Sequence, residues 1–156
     1  MKTEIMEVCN QEMKKKEGKN KGFSLVELIV VIAIMAILAI VIAPQVMKYI
    51  GQSRSSVDET NKSLYQTAAT TALADEDVYK EISNLNKSLK IEIQKPVAPA
   101  TKYASYDSTV SKFETEFDKI LNGTYPLPKE ATKTKFVITI NVSSSGEIGK
   151  VVVDSQ

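Results

Sequence analysis

The chain has 156 residues, enough for one domain with appendages. Its 20 Lys+Arg against 19 Asp+Glu leave a formal net charge of +1, which makes no electrostatic case for binding nucleic acid. It has no His and no Trp, and Cys9 is its sole cysteine; His-dependent triads, imidazole metal sites, Cys-based zinc sites and intrachain disulfides are therefore excluded.

The first 22 residues are polar and carry Lys2, Lys14, Lys15, Lys16, Lys19 and Lys21 against Glu4, Glu7, Glu12 and Glu17. Cys9 falls among them, but MKTEIMEV before it is too short and too acidic for a lipobox. From Leu25 to Ala43 the sequence reads LVELIVVIAIMAILAIVIA, in which Glu27 is the one polar residue. A helix of this length spans roughly 24–29 Å at about 1.5 Å per residue, just enough to cross a hydrocarbon core of about 30 Å. It has no polar face, and the rest of the chain is too short to bury it on every side, so the sequence predicts a membrane helix. The lysines before it place the N-terminus inside and the remainder outside. The stretch from Ala43, APQVMKYIGQ, offers no A-x-A-like cleavage site and reads as a helix continuing outward. Glu27 costs about 2.5–3.5 kcal/mol at the centre of such a span and less toward its end, and a buried carboxylate of this kind calls for a cationic partner.

The run Lys21-Gly22-Phe23-Ser24-Leu25-Val26-Glu27, basic before and apolar after, resembles the processing motif of the type IV pilin family. The resemblance covers about residues 19–50. It implies that a prepilin peptidase cuts between Gly22 and Phe23 and N-methylates Phe23. It also implies that Glu27 is the assembly carboxylate, paired with the Phe23 amine of a neighbouring subunit, and that Pro44 marks a kink or weak point in the helix. A glycine suits the cut because it lets the backbone enter a protease cleft closely. The implied product is an extracellular filament subunit acting in adhesion, motility or biofilm formation. Its implied partners are the peptidase, other pilin subunits, an assembly ATPase and an inner-membrane platform protein. The motif is shared by major pilins, minor pilins, secretion pseudopilins and competence pilins. A single-pass anchored protein with an unrelated head is the further alternative. No catalytic residue, metal or cofactor is implied, and the subunit is read as a substrate, not an enzyme. Removing the leader's six lysines and four glutamates leaves a mature chain of 134 residues with 14 basic and 15 acidic side chains and no Cys. Many family members close their C-terminal region with a disulfide, which is impossible here; that absence and the Lys-rich composition fit a Gram-positive source.

Beyond Pro44, Val46, Ile50, Val57, Leu64, Ala68 and Ala72 follow helical spacing. They predict an amphipathic continuation, 45–74, that lays this stripe against a head over 75–156. Asp75-Glu76-Asp77 reads as an N-cap for a short helix carrying Val78, Ile82, Leu85 and Leu89, and not as a calcium site. Lys90–Ile93 alternates as a short strand and Lys95–Pro99 as a loop. Val110, Phe113, Phe117, Ile120 and Leu121 predict a helix closed by Asn122-Gly123. Lys135–Val142, the turn Ser143–Gly146, and Ile148–Asp154 predict a C-terminal β-hairpin. The expected class is α+β, a long N-terminal helix with a small antiparallel sheet. Four N-x-S/T sequons, at Asn61, Asn86, Asn122 and Asn141, match by chance composition. A local basic patch such as Lys129, Lys133 and Lys135 could serve a nucleic acid, against a mature net charge of −1.

Overall fold

A computed structural model describes residues 22–96 and 102–156. Residues 1–21 of the leader, with its lysines and Cys9, and Val97 to Pro99 of the predicted loop lie outside the described residues. The elements in chain order are α1 (Leu25–Ala72), α2 (Glu76–Ser83), β1 (Leu89–Gln94), β2 (Ala104–Tyr106), α3 (Ser111–Leu121), β3 (Lys135–Val142) and β4 (Ile148–Ser155). The class is α+β, as expected. The chain divides into two compact units, Met1–Gln45 and Val46–Gln156.

The second unit is built on a four-stranded antiparallel sheet in the order β2-β1-β3-β4. Register puts Tyr106, Ile91, Ile138 and Val153 in one row and Ala104, Ile93 and Phe136 in the next. Residues of the same parity in every strand thus present one apolar face, which period-two alternation requires. Against it pack Tyr65, Ala68, Ala69 and Ala72 of α1, Val78 and Ile82 of α2, and Phe113, Phe117 and Leu121 of α3. The Tyr65 and Phe136 rings meet at 5.5 Å between centroids. On the opposite face, Lys135 Nζ donates to Glu92 Oε1 at 2.7 Å.

Each short helix has a defined start. Asp75 caps α2, its Oδ1 accepting the N–H groups of Asp77 and Val78 at 2.9 and 3.1 Å. At α3 the capping position is Val110, which has no side-chain acceptor. Glu81 of α2 supplies one instead: its carboxylate accepts the N–H of Lys112 at 3.2 Å and of Phe113 at 2.8 Å. The helix ends as predicted, with Asn122 and then Gly123 at positive φ. Leu89 does not extend α2; Asn84–Ser88 break the helix and Leu89 opens β1.

The stripe expected on α1 is rotated from the face the second unit buries. Val46, Ile50, Val57 and Leu64 are 40–47% exposed, and only Ala68 and Ala72 of the predicted set are buried. The buried face runs through Asp58, Asn61, Tyr65, Ala68, Ala69 and Ala72. The reason lies in the segment between α3 and β3. Asp58 is 2% exposed, and its two carboxylate oxygens accept the backbone N–H groups of Lys129 at 2.6 Å and Glu130 at 3.0 Å. Tyr65 donates its hydroxyl to Pro126 O at 2.7 Å. The helix therefore turns polar acceptors and a tyrosine toward a loop whose amides need partners.

Substitutions at Asp58 and at two glycines probe these contacts. Asp58→Ala strips both loop amides of their acceptor and costs about 3–6 kcal/mol, with Asp58→Asn intermediate, read from urea midpoints. Gly146 sits at φ +82, and a Cβ there would lie 2.7 Å from Ser83 Oγ and 3.0 Å from Ser83 O. Gly123 sits at φ +66 with nothing within 4 Å of its Cβ position. Gly146→Ala thus adds a clash to the backbone strain and lowers stability by about 1–3 kcal/mol, whereas Gly123→Ala costs about 1 kcal/mol. Equal losses from the two glycine substitutions would contradict this.

Candidate functional site

In the first unit, Gly22, Phe23 and Ser24 precede α1 in non-helical conformation. Among the described residues, a Cβ at Gly22 would meet nothing within 4 Å. Phe23 is 87% exposed. Ser24 is the residue before the helix, and its carbonyl accepts Leu28 N–H at 3.1 Å. Glu27 reaches back three residues, and its Oε2 accepts Ser24 N–H at 2.8 Å. This is the acidic half of a capping box, in which the third helical residue satisfies an amide that the helix itself leaves free. The carboxylate also sits at the positive end of the helix dipole. One side chain thus ends one residue from the Gly22–Phe23 bond.

From Leu25 to Ile42 every large apolar side chain is exposed, on all sides of the helix. The helix is long enough and apolar enough to cross a membrane. Pro44 lies inside α1, which continues through it. Pro44 has no N–H to give the preceding turn, so one carbonyl there lacks its helical donor.

The other sequence candidates disperse. Asp75 is a cap, and Asp77 faces Lys112 at 3.5 Å. Among the described residues no three His, Cys, Asp or Glu side chains come together to hold a metal. Lys135 is paired with Glu92, and Lys133 Nζ donates to Ser155 O at 3.0 Å, so two of the three clustered lysines serve the sheet. Asn61 is buried, which removes its sequon from reach, and Asn141 Nδ2 donates to Lys150 O at 2.9 Å.

The family described as the prokaryotic N-terminal methylation motif matches residues 18–43. This chain carries that motif. It places the Gly22–Phe23 bond, Ser24 and Glu27 inside one recognised signal that runs on into the exposed apolar helix. The chain is similar to the type IV major pilin protein PilA of Myxococcus xanthus, 35% identical over 66 residues that make up 42% of this chain and 30% of that protein. It is also similar to prepilin peptidase-dependent protein A of Clostridium perfringens, 32% identical over 78 residues, 50% of this chain and 56% of that one. The chain therefore spans between about a third and just over half the length of these relatives. No solved structure matches it.

The back-bond from Glu27 to Ser24 is the one feature of the motif that sequence reasoning missed, although Ser24-Leu25-Val26-Glu27 spells the S-x-x-E signature. It separates two roles of one side chain. Glu27→Gln keeps a side-chain oxygen for the cap and loses the charge; Glu27→Ala loses both. In detergent, hydrogen exchange at Ser24 and the first turn of α1 should quicken several-fold in Glu27→Ala, reflecting a cap of about 0.5–2 kcal/mol, and stay near wild type in Glu27→Gln.

Proposed function

We propose that this chain is the precursor of a structural subunit of a type IV pilus or a related filament. The observation that carries the reading is the methylation motif over residues 18–43, which begins before α1 and runs on into its first part, where the large apolar side chains are exposed all round. In this reading residues 1–22 are a leader, 23–44 the membrane and filament-core helix, 45–74 its amphipathic continuation and 75–156 the head. The precursor spans the cytoplasmic membrane once with its N-terminus inside. A prepilin peptidase cuts after Gly22 and methylates Phe23. An assembly ATPase and an inner-membrane platform protein then move the subunit into an extracellular filament.

The chemistry of assembly rests on two charges. Cleavage creates an α-amine on Phe23 with an ordinary pKa of about 7.7–8.0, and methylation keeps it basic. Glu27 of one subunit pairs with this cation on a neighbour, which neutralises both in a medium of low dielectric constant and fixes the axial stagger. Pro44 serves as a point where the helix bends or stretches. The subunit performs no catalysis; adhesion, motility and biofilm formation are the roles of the assembled fibre. Engagement of Lys133 and Lys135 within the sheet speaks against DNA uptake by this head.

Peptide mass spectrometry on material sheared from the cell surface tests the reading. A mature N-terminus at Phe23 bearing one extra methyl is expected. A chain retaining residues before Gly22, found only in membranes, overturns it. Glu27→Gln, with its helix cap intact, should be cut and inserted normally and yield few or no filaments; a normal yield would remove Glu27 from the assembly mechanism.

A further inference from the structure

The second unit holds a groove with the chemistry of a ligand site. Tyr103 and Tyr125 lie nearly parallel, with ring centroids 6.1 Å apart and planes 10° from one another. Two concavities of about 270 and 420 Å³ share these rings and Gly123 as a common wall. Small-ligand clefts span about 300–1,000 Å³, so a groove running over both is of the size to take a chain of a few small rings. Glu114 and Asp118, one turn apart on α3, line the smaller concavity together with Lys102. Lys102 is ion-paired with Glu114. Lys129 lines the larger one.

The groove has firm support. Tyr125 leans on buried Phe117 at 6.5 Å between centroids, and Phe117 stacks on Phe113 at 5.4 Å. Gly123 leaves its rim open, with nothing within 4 Å of its Cβ position. Burial and the neighbouring Glu114 hold the Asp118 carboxyl above the usual carboxylate range.

The donors and acceptors narrow the ligand. In the smaller concavity two carboxylates against one lysine disfavour an anion. Among the described residues a metal ion would find only two carboxylates there, one already paired with an ammonium. Parallel rings form a platform and not a cage, which disfavours an organic cation. A neutral polyhydroxyl ring uses every part: its C–H face packs on a tyrosine, its hydroxyls donate to Glu114 and Asp118, and the lysines donate to its oxygens. We propose that the head binds a neutral saccharide along the groove walled by Tyr103 and Tyr125. This goes beyond the filament reading and does not depend on it.

The test uses the detergent-solubilised full chain, so cleavage at Gly22 and filament formation do not enter. Maltotetraose, cellotetraose and N-acetylchitotetraose are titrated by calorimetry, with tetramethylammonium as the cation control. At least one saccharide should bind saturably with a Kd of about 1 mM or tighter. Tyr103→Ala, at an exposed ring, and Asp118→Asn should each weaken it by about tenfold while the circular dichroism and melting temperature stay near wild type. No saturable binding by any of the three saccharides overturns the proposal. So does binding that neither variant weakens, or binding of tetramethylammonium alone.

Discussion

The second unit depends on one constraint: a four-stranded sheet with a single apolar face must be covered, and its two short helices are too small to do it. Helices α2 and α3 have 8 and 11 residues, and between them contribute Val78, Ile82, Phe113, Phe117 and Leu121. The remaining cover comes from α1, through Tyr65 and the three alanines after it, Ala68, Ala69 and Ala72. Alanine at these positions lets the helix backbone lie close to the sheet, and Tyr65 fills the volume over Phe136. A small domain gains much from such a borrowed element, because the fraction of surface that it buries alone is low.

How well this could be read in the sequence varied with the range of the signal. The C-terminal hairpin was legible because β-branched residues, alternation and a Ser-Gly turn all lie within one stretch; β3 begins and ends where the pattern does. The cap at Asp75 and the left-handed close at Asn122-Gly123 are equally local. Strand β2 was not legible. Ala104-Ser105-Tyr106 is too short to show alternation and exists because β1 offers it an edge. The buried face of α1 was misjudged for a related reason. Apolar periodicity counts side chains that want to leave water, and it cannot see that a loop 71 residues away presents two amides to Asp58.

The N-terminal methylation motif was legible for the opposite reason. A local motif of this kind sits in neighbouring residues, and Gly22, Phe23 and Glu27 need no tertiary structure to be read together. The fold adds the direction of the Glu27 side chain, back along the chain toward Ser24. A carboxylate that already satisfies a backbone amide is less costly to hold in an apolar span than a bare one, because part of its lost hydration is replaced. The groove around Tyr103 and Tyr125 stands at the other extreme. Its parts are scattered between Lys102 and Lys129, over β2, α3 and the loops beside them, and no local pattern announces it.

The loop between α3 and β3 raises the question of what holds it without a covalent staple. With Cys9 as the sole cysteine, no disulfide can close this region. A disulfide is typically worth about 2–4 kcal/mol. Hydrogen bonds to a charged acceptor contribute about 1.5–3 kcal/mol each when buried, and Asp58 accepts two of them. The Tyr65 bond to Pro126 O adds a third point, and the C-terminus adds more where Gln156 O accepts Lys135 N–H at 2.9 Å and Gln156 N–H returns to Lys135 O at 2.9 Å. These bonds together match a staple in magnitude and differ from it in kind. They need no oxidising compartment, and they require Asp58 to be buried where, among the described residues, its hydrogen bonds come from the loop itself. That requirement explains why a helix rich in apolar residues turns its aspartate inward and leaves Val57 and Leu64 exposed.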